Sequence, residues 1–225
     1  MALKKKLLLI IYLFFFSSCS SNTDFDKLSK IFDLYKNQNK NVEIKTFIRK
    51  ELDGINYPLI EVRTNGILIQ SLMLPLSIRD NYLNYSSGSG QSLTIKGGMI
   101  LKTNGLESGL ISLDVTDRPL LQETPILEWP LNQTKKYTFL KPDFSSYTIT
   151  FQCDFIIKEK ESVIIVEKNY ILTEIQDVCK SKNYNFSNTY WVDETGFIWK
   201  SAQWISPKNI KALITVFNPY LENNY

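Results

Sequence analysis

The chain has 225 residues, with 26 Lys and Arg, 23 Asp and Glu, no histidine and a formal net charge of +3. Without an imidazole there is no Ser-His or Cys-His nucleophile pair and no common proton shuttle or zinc ligand, so no catalytic residue, metal site or cofactor is expected. The charge excess sits at the start: Lys4, Lys5 and Lys6 lie in an acid-free stretch of 18 residues, and the other 23 basic residues equal the 23 acidic ones. A neutral remainder gives no electrostatic reason to expect nucleic acid as a partner.

Those first residues read as a lipoprotein leader. Leu7 to Phe16 is an uncharged apolar run, and Ser17 and Ser18 lead into Cys19. The run is shorter than the roughly 20 residues a spanning helix needs, but it fits the core of a secretory signal. The order predicts a signal peptide over 1–18, a lipidated tether over 19–23 and one domain over 24–225. A thioether-linked diacylglyceryl group on Cys19, with a further acyl chain such as palmitate on the freed amine, makes a durable anchor where a single chain would not. Ser20 follows the cysteine, with no Asp to retain the protein in an inner membrane. The expected location is therefore the periplasmic side of the outer membrane, with the membrane as partner through the lipid anchor.

Next comes a helix: Thr23 caps its start, and Phe25, Leu28, Phe32 and Tyr35 recur at helical spacing. From Val42 and Ile44 onward short strands take over. Asn65-Gly66 separates Leu59–Arg63 from Ile67–Leu74, and Asn104-Gly105 separates Met99–Thr103 from Leu110–Val115; both dipeptides tolerate the positive φ of tight hairpins. The Ser-Ser-Gly-Ser-Gly stretch at 86–90 lacks the spacing and the base of a nucleophile elbow and reads as a turn. Pro119, Pro125 and Pro130 make Asp117–Thr134 an irregular connection. Ile149, Phe151, Cys153 and Phe155 then alternate with polar residues, giving a strand with one wet face, and a charged Lys158–Glu161 turn leads into Val163–Leu172. The fold class is all-β: a single antiparallel twisted sheet, as an open barrel or sandwich, with one N-terminal amphipathic helix.

Cys153 and Cys179 form an even pair in an exported chain, and a disulfide between them would stabilise the fold by roughly 3–4 kcal/mol. Near the C-terminus two aromatic-rich strands, Asn188–Asp193 and Phe197–Pro207, flank Glu194-Thr195-Gly196. Period-two alternation puts Phe197, Trp199, Ser201 and Gln203 on one face of the second strand and Ile198, Lys200, Ala202 and Trp204 on the other. Tyr190, Trp191, Trp199 and Trp204 form a candidate interaction surface, although aromatic rows of this kind are more often core.

The Asn188–Asp193 stretch with Gly196, and Gly98–Thr103 followed by Gly105-Leu106, resemble the YjbF/GfcB lipoproteins, the group 4 capsule polysaccharide lipoprotein family. The similarity extends over about residues 24 to 217, and the leader at Cys19 agrees with it. The resemblance implies an antiparallel β fold and a role in exopolysaccharide or capsule production, with polysaccharide or polysaccharide-export proteins as partners. It supplies no catalytic residues. Three functions compete: a non-enzymatic lipoprotein assisting polysaccharide secretion, a lipid or lipoprotein carrier with an apolar half-barrel, and a glycan hydrolase. The last needs two carboxyl groups about 5–10 Å apart, and the adjacent Asp193 and Glu194 read as turn residues instead.

Overall fold

The structure, a computed structural model, describes residues 46–53, 55, 57–66, 70–106, 109–116 and 132–219. The leader, Cys19, the helix expected over Thr23–Tyr35 and the strand expected at Val42–Ile44 lie outside the described residues. One short helix, α1 (Arg49–Leu52), precedes twelve strands. These are β1 (Leu59–Thr64), β2 (Gln70–Arg79), β3 (Tyr82–Ser86), β4 (Ser92–Lys96), β5 (Met99–Asn104) and β6 (Leu110–Thr116), then β7 (Asn132–Leu140), β8 (Ser146–Ile165), β9 (Lys168–Lys180), β10 (Asn185–Val192), β11 (Ile198–Ser206) and β12 (Ile210–Asn218).

All twelve join in one antiparallel sheet ordered β5-β4-β3-β2-β1-β12-β11-β10-β9-β8-β7-β6. Every neighbour is also a sequence neighbour except the first and last strands, which pair from Leu59↔Asn218 to Thr64↔Ala212. The sheet curls until its edges, β5 and β6, lie against each other, nearly closing a barrel. The expected all-β antiparallel sheet is therefore present. Asn104-Gly105 does turn the chain, with Gly105 at φ +70°. The flanking strands form no ladder, because the turn carries the chain from one sheet edge to the other.

A buried amide ties β5 across the interior. Gln203 on β11 donates from Nε2 to the Gly98 carbonyl at 2.8 Å, and its Oε1 accepts from the Ile100 N–H at 2.9 Å. An edge strand leaves such backbone groups unpaired, and burial without a partner would be costly, so one side chain here does the work of a missing strand.

Inward-facing residues fill the barrel by strict alternation: Gln133, Lys135, Tyr137 and Phe139 on β7, and Phe186, Asn188, Tyr190 and Val192 on β10. Trp204 stacks on Phe186 with ring centroids 4.3 Å apart and meets Tyr137, Phe139 and Phe151 edge-on at 5.2–5.4 Å. Burying rings of this size contributes about 1.5–3 kcal/mol each.

Two sequence expectations change here. Residues 132–134, assigned to the irregular connection, belong to β7; the rest of that connection lies outside the described residues. No turn occurs at Lys158–Glu161: β8 runs on to Ile165, with a register shift between Ile157 and Lys160, and the chain reverses at Val166-Glu167, both at positive φ. The extended β8–β9 hairpin is an arm that packs its inner face on the outside of the sheet. Val163, Ile165 and Leu172 join Phe47, Leu52, Leu59, Leu72 and Phe217 in a second apolar cluster. Glu167 accepts from the Arg49 N–H at 2.8 Å, which fixes α1 to the arm's tip.

Candidate functional site

A pocket of about 360 Å³ opens at the end of the barrel that carries the β2–β3, β4–β5 and β10–β11 turns. Its walls are Ile60 of β1, Ile214 and Val216 of β12, and Leu83, Tyr85 and Ile95 of β3 and β4. Gly97-Gly98 and Thr195–Ile198 form the rim on two sides, Asn81 stands on a third, and Lys200 and Ser201 complete the lining. Gly97 and Gly98 make the two-residue turn between Lys96 and Met99 with φ +53° and +75°, a left-handed pair that glycine adopts at no steric cost. Among the described residues the lining contains no Asp or Glu.

The β10–β11 turn at the rim is held by one carboxylate. Asp193 Oδ1 accepts from the backbone N–H of Thr195 at 2.9 Å and of Phe197 at 3.0 Å and from the Thr195 hydroxyl at 2.6 Å, while Oδ2 accepts from Trp199 Nε1 at 2.8 Å. Desolvation pushes the carboxyl's pKa up, but these four bonds outweigh it and hold the group below the usual carboxylate range. Gly196 supplies the turn's left-handed position at φ +91°. Glu194 points away and pairs with Lys160 at 2.9 Å. Asp193 thus organises a loop, and neither acid lines the pocket.

The four aromatics proposed as a surface divide. Tyr190 is 1 % exposed and Trp204 3 %, so both are core residues and present no surface. Burial, then the Asp177 charge, pushes the Tyr190 phenol well above its ordinary pKa, and the same causes act on Tyr137. Trp191 and Trp199 are half-buried on the outer face, under the arm. Trp199 packs on Tyr170 at 4.4 Å, and Trp191 donates to Glu161 and lies beneath the Lys200 ammonium at 4.9 Å. Strict alternation along β11 fails because the register shifts opposite Trp191/Val192 and again between Trp204 and Ser206. Ile198 and Trp204 share the inner core and Trp199 faces the arm, as alternation expects, whereas Ser201 and Gln203, expected beside Trp199, are buried on the inner side.

Cys153 and Cys179 are bonded, on directly opposed positions of β8 and β9. Beside them lies a polar group that sequence reasoning missed. Lys135 Nζ meets Asp177 Oδ2 at 2.5 Å with both side chains 0 % exposed, and Asn188 donates to the same oxygen at 2.8 Å. Asn188 Oδ1 in turn accepts from the Trp204 N–H at 2.7 Å. The legible signal was the inward register of Lys135, two positions from Tyr137. Asp177 and the two sulfurs come within 4.8 Å of one another, but sulfurs joined to each other are not thiolates and offer no metal-ligand set in this state. The Ser-rich turn at 86–90 binds Gln91: Ser87 and Ser89 donate to its Oε1 at 2.7 and 2.6 Å.

No curated protein matches the chain. Among solved structures, the chain is similar to the hypothetical lipoprotein YmcC from Escherichia coli (K12). The likeness has a TM-score of 0.71 at 20% identity and covers 91% of this chain and 99% of that one. At that identity the likeness concerns the fold alone. A family model described as "Group 4 capsule polysaccharide lipoprotein gfcB, YjbF" matches residues 33–217, from before the first described strand to the end of β12. With a match over most of its length, the chain belongs to the YjbF family of group 4 capsule polysaccharide lipoproteins.

Proposed function

We propose that this protein is an outer-membrane lipoprotein, anchored through Cys19 and facing the periplasm, that assists the production or secretion of a capsule or exopolysaccharide by binding rather than by catalysis. The observation that carries this reading is the family match over residues 33–217. Two features support the non-enzymatic part. Among the described residues the pocket lining holds no carboxylate, so they do not assemble the acid pair of glycoside hydrolysis there. The rim carboxylate, Asp193, is engaged in four hydrogen bonds of the turn. The partners of this reading are the membrane and either the polysaccharide or the proteins that export it.

The test is an in-frame deletion with quantified surface polysaccharide, complemented by the intact chain and by Cys19→Ala. The expected result is loss of surface polysaccharide, restored by the intact chain and not by the variant, with the intact chain fractionating with the outer membrane. An unchanged polysaccharide coat, with transcripts of neighbouring genes intact, overturns the reading.

A further inference from the structure

We propose that the barrel pocket binds the hydrocarbon chain of an amphipathic lipid, with the lipid's polar head left at the rim beside Asn81 and Thr195. The inference does not depend on the capsule reading and survives its failure.

The volume, about 360 Å³, falls within the roughly 300–1,000 Å³ of small-molecule sites. The walls decide the chemistry. Ile60, Leu83, Ile95, Ile214 and Val216 are branched aliphatics without a polar side-chain atom and Tyr85 adds one phenol, so a sugar seated among them would bury more hydroxyls than the wall can partner, whereas an alkyl chain gains from every contact. Ser201, the deep hydroxyl, already accepts from Gln203 Nε2 at 3.0 Å.

Polarity is instead gathered at the opening. Asn81 and Thr195 stand at the mouth. An apolar interior with a polar rim matches a molecule with one long apolar end and one polar end.

The apolar surface also continues out of the pocket. Ile78 is directly opposite Leu83 in the β2–β3 ladder, and Leu83 is opposite Ile95 in the next, so the three share the lumen-facing side of the sheet. Ile78, on that lumen-facing side, is 38 % exposed, and Leu76 near it on β2 is 77 % exposed. That hairpin offers a chain leaving a membrane or micelle an apolar path to the mouth.

The test uses the full-length chain in mild detergent with a diazirine-bearing palmitate photoprobe, mapped by tandem mass spectrometry. Labels are expected on the peptides carrying Leu83–Ile95 and Thr195–Val216. Leu83→Trp, which fills the mouth, and Leu83→Asn, which makes it polar without adding bulk, are each expected to cut labelling at least tenfold. Ile164→Ser, on the outward side of the arm, leaves it unchanged. A cooperative thermal melt like that of the parent reports that each variant is folded. Unlabelled palmitate, a lysophospholipid and a polyprenyl phosphate compete in separate arms, and the competitor that displaces the probe identifies the head group. Labels scattered over the surface, labelling equal in folded Leu83→Asn and the parent, or displacement by none of the three overturns the proposal.

Discussion

The two halves of the barrel are filled differently. Strands β6 to β10, with Trp204, enclose five interlocking aromatic rings, a disulfide and a buried Lys135–Asp177 pair, whereas β1, β3, β4 and β12 enclose branched aliphatics around an open pocket. Ring edges and faces interlock tightly, and the side chains lining a void lack contact atoms on one side. Stability is thus concentrated in the aromatic half, and the other half is left free to hold something else.

Paired truncations give the sharpest test of that contrast. Trp204→Ala removes a ring that contacts four others, and urea titration should show a loss of about 3–5 kcal/mol. Leu83→Ala, at the pocket wall, should cost less than about 2 kcal/mol, below the usual range for a packed leucine. Equal losses would erase the distinction.

The buried pair tests whether the aromatic half depends on its polar core. Lys135→Met strands the Asp177 carboxylate at 0 % exposure and should cost about 3–5 kcal/mol. The double variant Lys135→Met/Asp177→Leu should recover most of that loss, since no charge is then left unpaired. A double variant as unstable as the single one would show that the network matters for more than mutual neutralisation.

Between the halves stands Gln203. Gln203→Leu leaves the Gly98 carbonyl and the Ile100 N–H without their side-chain partner and should cost about 1–3 kcal/mol. Amide hydrogen exchange should quicken at Ile100 and stay slow on β8 and β9. Uniform acceleration across the sheet would mean that the pocket half does not open by itself.

The smallest effect is expected at the rim. The pKa of Asp193 is lowered in the folded protein, so its contribution is present above the unfolded value of about 4 and is lost as pH falls through the folded value. Asp193→Asn, which turns an amide donor toward Trp199 Nε1, should be less stable than the parent near neutrality, and the gap should shrink as pH drops below about 4. A gap that is constant down to pH 2 would contradict this.

Much of the sheet was legible because period-two patterning survives where one face is wet. Phe151, Cys153 and Phe155 point inward as their spacing requires, and Cys179 meets Cys153 across the ladder. What escaped was long-range or irregular. The charged Lys158–Glu161 run looks like a turn, yet in a two-stranded arm whose outward side meets solvent such side chains carry no burial cost. Alternation separates Trp199 from Trp204, but the inward burial of Ser201 and Gln203 goes with two register shifts, and the cover over Trp191 and Trp199 comes from the arm, neither of which is written in the local spacing. The pocket arises from the pairing of β1 with β12, more than 140 positions apart in the chain.

The cystine also works as a gauge of alignment. Beyond the register shift the arm is apolar on both sides: Val163, Ile165 and Leu172 are buried, while Ile164 and Ile171 are 73 % and 58 % exposed. Hydrophobic patterning therefore scarcely distinguishes the native pairing of β8 and β9 from one slipped by a single residue, which would turn every side chain of one strand over. Residues 153 and 179 can be bonded only when they stand opposite each other or nearly so, and closing that bond at the base commits the distant tip to the side that meets Phe47 and Phe217. In an oxidising compartment, oxidation would proofread the alignment of the hairpin before the arm closes over Trp191 and Trp199.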